Sequence, residues 1–482
     1  MATRPKFSLI LAAAALLLGG CGGDDDGPIS VTAIGAPPRP VNPNLQAIDA
    51  PAGVLMEATA QGLVRFNAEG EIEPALAQSW IVSDDGLRYT FRIRRTQWLG
   101  GGPVTAQEVA ARLRAALSRA SRNPLKPVLG AIADVVPMTD SVLEISLRGP
   151  RPNFLQLLAQ PEMAILQGGR GTGPYRLAET GIAGARLVIQ RGEDEAGPDS
   201  PDILLRGEGA AAAVARFSMQ RTDLVIGGTI GDLAFVRATD IASSRLVFDP
   251  VSGLFGLAFA NNGGPLADPE VRRALAMAVD RDSLVAALGV PRLAPRTSLA
   301  PAGLGELAAP AQPDWAAQPL PARRETAART IAGLGQEAPL RLRVAIPDGP
   351  GYRLVFAHLR RDWRIVGVEA ERVRPGQPAE LRLIDAIAPA NLASWYLRPF
   401  GCDLSPVCDT AADQALLAAR LAPRPAERNA QFAAADRIFA ELTPFIPLTG
   451  PVRWSLVAQR LRGFRANPFA RHPAGELIAR QE

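Results

Sequence analysis

GLVRFNAEGEIEPALAQSWIVSDDGLRYTFRIRRTQWLGGGPVTAQEV, Gly62 to Val109, reads as strand, turn, strand, turn, strand and helix start. Leu63-Val64-Arg65-Phe66 reads as a short strand, and Asn67-Ala68-Glu69-Gly70 has the residues that turn a chain. Trp80-Ile81-Val82 and Leu87 to Ile93 flank a second turn, Ser83-Asp84-Asp85-Gly86. From Leu87 to Ile93 apolar and polar residues alternate, as a half-buried strand requires. Thr105-Ala106-Gln107-Glu108 is a capping box, and Val109, Leu113, Ala116 and Leu117 then share one helix face. Asp84-Asp85-Gly86 lacks the spaced oxygen ligands of a calcium loop and reads as a solvated hairpin turn.

Upstream, the N-terminus carries an export signal. Arg4 and Lys6 precede an apolar run, Leu9 to Leu18, that is too short to span a bilayer. Leu18-Gly19-Gly20-Cys21 resembles a lipobox, whose cysteine takes a diacylglycerol and becomes the mature N-terminus; the alternative is a plain secretory signal with a chance cysteine. Residues 1–20 are then the signal and residues 21–28 a tether. This predicts a periplasmic protein attached to the cell membrane through lipid on Cys21. No aspartate follows Cys21 directly to argue for inner-membrane retention, so either membrane is compatible.

The 482 residues, 47% of them hydrophobic, suffice for two or three well-cored units, and no later stretch is apolar enough to span a membrane. The formal charge of +4 falls to +2 when Arg4 and Lys6 leave with the signal. So small an excess on a chain this long gives no argument for nucleic acid, despite a pI near 9.3.

Further along, Gly171-Thr172-Gly173-Pro174-Tyr175 looks at first like a nucleotide loop, but Pro174 follows at once and no helix opens there. In LAFANNGGPLADPEVRRALAMAVDRDSLV, Asp268 is a natural N-cap and Pro269 a natural first helical residue. Val271, Ala274, Leu275, Ala278 and Val279 form the buried face, and Arg272, Asp280 and Arg281 are expected to pair at the helix surface. Glu325 to Val373 reads helix, strand, helix, strand. DTAADQALLAARLAPRPAERNAQFAAADRIFAELTPFIPLTGPV gives two late helices and a strand.

Taken in order, these segments resemble the family 5 extracellular solute-binding proteins, the binding components of peptide, nickel and related ABC importers. The Gly62–Val109 stretch is similar to the family's signature region, Gly171–Tyr175 to its "GTGPY" segment, and the resemblance runs from about Gly62 to Phe464. It implies an α/β, two-lobed periplasmic-binding-protein (flytrap) fold with an extra subdomain in lobe one. Lobe one is expected at residues 28–245, with the subdomain at about 50–165, lobe two at 246–449, and a return segment to lobe one at 450–482. It also implies a monomer that captures a peptide-like or other small-molecule solute when its lobes close on a hinge, and delivers it to an ABC permease of the inner membrane. A receptor-like or scaffold lipoprotein with the same fold is the alternative, and an exported hydrolase a third.

The site residues follow from the resemblance and from the places where it fails. Peptide binders of the family often carry a "W-x-x-D-Y-x-D-P" element whose first aspartate pairs with a peptide ammonium group. The text here is Ser394-Trp395-Tyr396-Leu397-Arg398-Pro399-Phe400, so that aspartate is missing and Arg398 adds a positive charge. Asp403 is a possible replacement carboxylate; without it, the cleft suits an anionic or neutral ligand. Trp395 and Tyr396 are candidate cleft walls in a chain only 5% aromatic, and equally candidates for plain packing. Asn261 and Tyr175 are further candidates, with a turn role for Asn261 at least as natural. In an oxidising compartment Cys402 and Cys408 can form a disulfide, the alternative being two separate buried thiols; Cys-x5-Cys with no nearby histidine is not a zinc spacing. Scarce soft and imidazole ligands disfavour nickel. His358 and His472 sit in no catalytic motif, and neither a Gly-x-Ser-x-Gly elbow nor a His-Glu-x-x-His pair is present, so neither enzyme chemistry nor a cofactor or metal is expected.

Overall fold

The computed structural model describes residues 27–181, 184–190, 201–335 and 339–478. Cys21, and with it the expected lipidation, lies outside these residues.

The first lobe is built on a seven-stranded mixed sheet. Its strands run in the order Leu246–Phe248, Arg453–Val457, Leu224–Thr229, Ile29–Ile34, Ile203–Glu208, Gly184–Ile189 and Tyr175–Gly181. Ile29–Ile34 is parallel to both of its neighbours, and the other pairs are antiparallel. The second lobe holds a five-stranded sheet in the order Val368–Val373, Leu340–Ala345, Leu381–Ile387, Gly253–Phe259 and Phe445–Thr449. The chain passes from the first sheet to the second at residues 249–252 and back at residues 450–452. Leu246–Phe248 still pairs in the first sheet, so the crossing comes a few residues later than the expected division after residue 245.

The quoted stretch folds largely as its pattern dictates. Val64–Phe66 pairs with Ile72–Pro74, and Ala77–Val82 pairs with Arg88–Ile93 inside a four-stranded antiparallel sheet completed by Val142–Leu147 and Ile132–Thr139. The helix Ala106–Leu117 opens on the reciprocal Thr105–Glu108 capping box and buries Val109, Leu113 and Ala116 on this sheet. The Glu108 carboxylate also accepts from Trp98 Nε1 at 3.0 Å, tying the helix start to the preceding loop.

This subdomain has its own apolar core, running from Leu63 to Ile165. The helix Ala50–Thr59, expected inside it, instead buries Val54, Leu55 and Ala58 in the lobe-one core. Gly171 and Gly173 explain that packing: a Cβ on either would stand 2.4–2.5 Å from backbone atoms at residues 58–60. The glycines let the chain pass against the end of the helix.

Asp268 caps Pro269–Ala278 through the Glu270 N–H at 2.8 Å, and the predicted apolar face is buried. Arg272 and Arg281 depart from expectation: they are 2% and 3% exposed, not on the surface. Arg272 donates to the carbonyls of Leu442, Leu266 and Ala267, and Arg281 to those of Pro447, Ala276 and Val279. A guanidinium offers five donors on a long stem, so it can satisfy several loop carbonyls that water cannot reach.

In the helix Pro425–Leu442, Asp436 is buried, and its carboxylate accepts from Ala311 N at 2.6 Å. Burial, which this hydrogen bond only partly offsets, pushes its pKa up to about 6. The folded state therefore binds this proton more tightly than the unfolded chain. The corresponding stability is fully present below the unfolded value and is lost as pH rises through about 6. Asp436→Asn keeps an acceptor for Ala311. Its stability relative to the native protein should rise from little difference near pH 4 to an advantage of about 2–3 kcal/mol near pH 8, read by urea denaturation across that range. A pH-independent difference would contradict this account.

Candidate functional site

The two lobes meet where the subdomain segment after Pro150 faces the loop that leaves strand Leu381–Ile387. Asn153 Nδ2 donates to Asn391 O at 2.7 Å, and Gln160 Nε2 donates to Pro389 O at 2.8 Å. Asn391 N donates back to Gln156 Oε1 at 3.4 Å. From the second lobe, Arg428 Nη1 donates to Pro150 O at 2.8 Å. Between these polar contacts, Ala390 and Leu392 of the second lobe are fully buried and belong to the subdomain's core. Their apolar area leaves water only when the lobes are together, so the junction has a hydrophobic driving force as well as hydrogen bonds.

Beside this junction lies a buried ion cluster. Arg151 of the subdomain is 7% exposed, and Glu306 and Arg428 of the second lobe are 5% and 3% exposed. Arg428 Nε lies 3.1 Å from Glu306 Oε1, though off the line of a hydrogen bond, and Arg151 Nη1 lies 3.8 Å from the same oxygen. Glu306 Oε2 accepts from Ala393 N at 3.0 Å. Arg151 also borders a cavity of about 240 Å³. Pro127 and Val128 complete its subdomain wall; Arg398, Asp403, Asp413, Arg420 and the apolar Leu416, Leu417 and Phe432 form the wall from the second lobe.

A second contact sits near the two crossings. Asp385, on the last part of strand Leu381–Ile387, accepts from Arg453 Nη1 and from Tyr352 Oη, both at 2.7 Å. Arg453 begins the returning strand of the first lobe, and Tyr352 sits at the start of the second-lobe helix Pro350–Ile365. The helix start approaches the first lobe's 230–231 turn so closely that Gly351 N donates to Gly231 O at 3.1 Å. Burial, followed by the Asp385 charge, raises the Tyr352 pKa, so the phenol remains a donor.

Two lobes joined by two crossings, with a lined cavity between them, can take a solute against groups from both sides. The model of the bacterial extracellular solute-binding proteins, family 5, matches residues 71–373. The chain belongs to that family. It is 24% identical over 466 residues to the probable ABC transporter periplasmic-binding protein SapA of Escherichia coli (strain K12), with 82% of each chain covered. It is 24% identical over 505 residues to the probable di/tripeptide-binding protein 5 of Pseudomonas aeruginosa (strain UCBPP-PA14), covering 91% of this chain and 92% of that one. The fold matches the structure of the Escherichia coli murein tripeptide binding protein MppA with a TM-score of 0.82 at 20% identity, over 94% of this chain and 98% of that one. Family 5 is a binding and transport family, not an enzymatic one.

In this family 5 protein, four of the sequence candidates lie together. Trp395 is half-buried and packs against the cores of both the subdomain and the second lobe. Tyr396 meets it edge-on at 4.9 Å, is itself fully buried, and shares a 2.9 Å hydrogen bond with Ser252 at the crossing. Arg398 and Asp403 line the cavity but are paired by two hydrogen bonds of 2.5 Å. That pairing holds the Asp403 carboxyl below its usual range. Each therefore neutralises the other: Asp403 is not a free partner for an ammonium group, and the Arg398 charge does not set the character of the cleft. Cys402 and Cys408 are disulfide-bonded, with Cα atoms 5.0 Å apart, closing the loop that carries Asp403.

The other two candidates lie elsewhere. Tyr175 is buried in the lobe-one core, where burial, with a smaller contribution from Asp202, pushes its phenol up to about 12. Asn261 closes its own turn by accepting from Gly263 N at 3.3 Å, the turn role its sequence suits. Sequence reading missed Arg151, Glu306, Arg420, Arg428 and Gln160. None sits in a motif, and an arginine in an arginine-rich chain reads as surface until packing buries it. Among the described residues no helix is long and apolar enough to cross a membrane, and no cluster of three or more potential metal ligands occurs.

Proposed function

We propose that this chain is the substrate-binding component of an ABC importer, and that it captures a small solute between its lobes and delivers it to an inner-membrane permease. The observation that carries this reading is the junction itself: one cavity is lined from the subdomain and from the second lobe, beside contacts made only when the two meet. A solute touching both walls favours the closed form by its differential affinity, and a closed form is a distinct shape for a permease to recognise. Residues 28–245 with 450–482 would then move as one body against residues 246–449, apart from the short correction at the crossing. The export signal supports work in the periplasm on a lipid at Cys21, where the chain would act as a monomer.

The test uses the mature, unlipidated chain purified under oxidising conditions. Dipeptides, oligopeptides, opines, oligosaccharides, small organic anions and nickel are screened by thermal shift, with small-angle scattering on each hit. A true ligand at a hundredfold excess over its Kd stabilises the folded state by about 2.7 kcal/mol, and it should also compact the molecule. Stabilisation without compaction, or no response from any class, overturns capture by closure.

A second reading, a receptor-like lipoprotein that keeps the fold without transport, draws on the directness of the junction. Asn153, Gln156, Gln160 and Arg428 fasten the lobes by protein-to-protein bonds. Compaction by a ligand with no uptake defect on deleting the gene would favour it.

A further inference from the structure

We infer that the cavity between Arg151 and Arg420 binds the carboxylate of a small aliphatic acid, an inference that rests on the capture reading and names the class of solute. The charge balance comes first. Four guanidiniums surround the cavity and its inner end, those of Arg151, Arg398, Arg420 and Arg428, against three carboxylates, Asp403, Asp413 and Glu306. Asp403 is taken by Arg398. Asp413 accepts from Cys402 N at 3.1 Å and faces Arg398. Glu306 is shared between Arg428 and Arg151, with the shorter distance to Arg428.

Unmatched donors then remain on both walls. Arg151 is more than nine-tenths buried, borders the cavity, and its Nη1 makes no hydrogen bond. Arg420 also borders the cavity; its buried Nε has no hydrogen-bond partner, and no carboxylate pairs with it among the described residues. Arg420 and Arg428 both press on Arg151, which burial already makes a weaker base. A buried guanidinium beside a half-exposed one at the same cavity is unfavourable, and an anion in that cavity offsets the repulsion and supplies the missing acceptors.

The remaining walls give the rest of the solute. Val128, Leu416 and Phe432 are apolar, and Leu417, 48% exposed, stands at the rim. A volume of about 240 Å³ falls below the roughly 300–1,000 Å³ of pockets that take drug-sized ligands. A short apolar tail ending in one carboxylate fits those dimensions, and a peptide ammonium group meets the wrong charge.

The experiment is calorimetric titration of the oxidised mature chain with hexanoate and with hexanamide, its uncharged counterpart. Hexanoate should bind at least about tenfold more tightly, since charge-assisted pairing to buried arginine is the stronger interaction. Arg420→Gln, at a half-exposed position, should lose about tenfold to a hundredfold in hexanoate affinity while keeping the native urea midpoint. Arg151→Gln should lose affinity likewise. Arg343→Gln, on strand Leu340–Ala345 and outside this cavity, should bind as the native protein does. Equal binding of acid and amide, full affinity in Arg420→Gln, or no hexanoate binding overturns the inference. If hexanoate fails and a dialanine probe binds with compaction, capture stands and only the acid subsite falls. If every probe fails, both fall.

Discussion

Glu306→Gln is expected to destabilise the closed molecule by about 3–5 kcal/mol, the usual result of removing one partner from a buried ion cluster. The substitution keeps the size of the side chain and an acceptor for Ala393 N. It removes the one carboxylate placed between Arg151 and Arg428, each less than 10% exposed. Two buried guanidiniums are left to repel each other in a medium that solvates them poorly. Because Arg151 belongs to the subdomain and the other two to the second lobe, the response should be opening before unfolding. Small-angle scattering should show expansion in native buffer, and urea titration a lower midpoint. Asp403→Asn is the comparison: it breaks the more exposed Arg398–Asp403 pair, and such surface pairs contribute about 1 kcal/mol or less. Equal losses from the two variants would mean that Glu306 is not acting through burial.

Gly351→Ala should be nearly as disruptive, at the contact between the second-lobe helix start and the first lobe's 230–231 turn. A Cβ there would stand 1.8 Å from Ile230 O and 2.7 Å from the carbonyl carbon of Ile230. Both belong to the first lobe's backbone, which has no rotamer to escape into. Two effects compete. Alanine within a helix gains about 1 kcal/mol over glycine, whereas overpacking a tight site costs about 3 kcal/mol at the severe end. A contact this short places the substitution at that end, so the clash wins. The first-lobe turn and the start of the helix must separate, breaking the Gly351–Gly231 hydrogen bond and straining the Arg453–Asp385 bond between the lobes. Denaturation should show the loss, and ligand affinity should fall with it. A stabilised Gly351→Ala protein would mean that the helix end yields freely and that this contact does not set the approach of the lobes.

Much of the fold was legible in the sequence because its signals are local. The capping box at Thr105, the Asp268–Pro269 helix start and the alternation from Leu87 to Ile93 each act within a few residues, and each forms as read. The candidate site was less legible because its parts are distant in sequence. Gln160 meets Pro389, and Arg151 meets Glu306 and Arg428, through packing that no local pattern records. The same blindness misplaced Arg272 and Arg281. Their positions in and just after an amphipathic helix suggest solvent, and although some of the carbonyls that hold them are local, those of Leu442 and Pro447 come from segments well over a hundred residues away. Trp395 shows an intermediate case: its rarity drew notice, and its contact with two cores explains it, but only the structure tells packing from ligand contact.

The strand order of the first sheet has a consequence for how the protein is made. Arg453–Val457 lies inside that sheet, between Leu224–Thr229 and Leu246–Phe248. After Thr229 leaves the ribosome, its neighbour in the sheet arrives about 220 residues later, a wait of about 10–45 s at the roughly 5–20 residues per second of translation. Until then the nascent chain has an unfinished sheet and an unpaired strand flank. An interior position kept vacant until the last part of synthesis delays compaction, and a chain that stays loose for that long remains threadable through a narrow translocation channel.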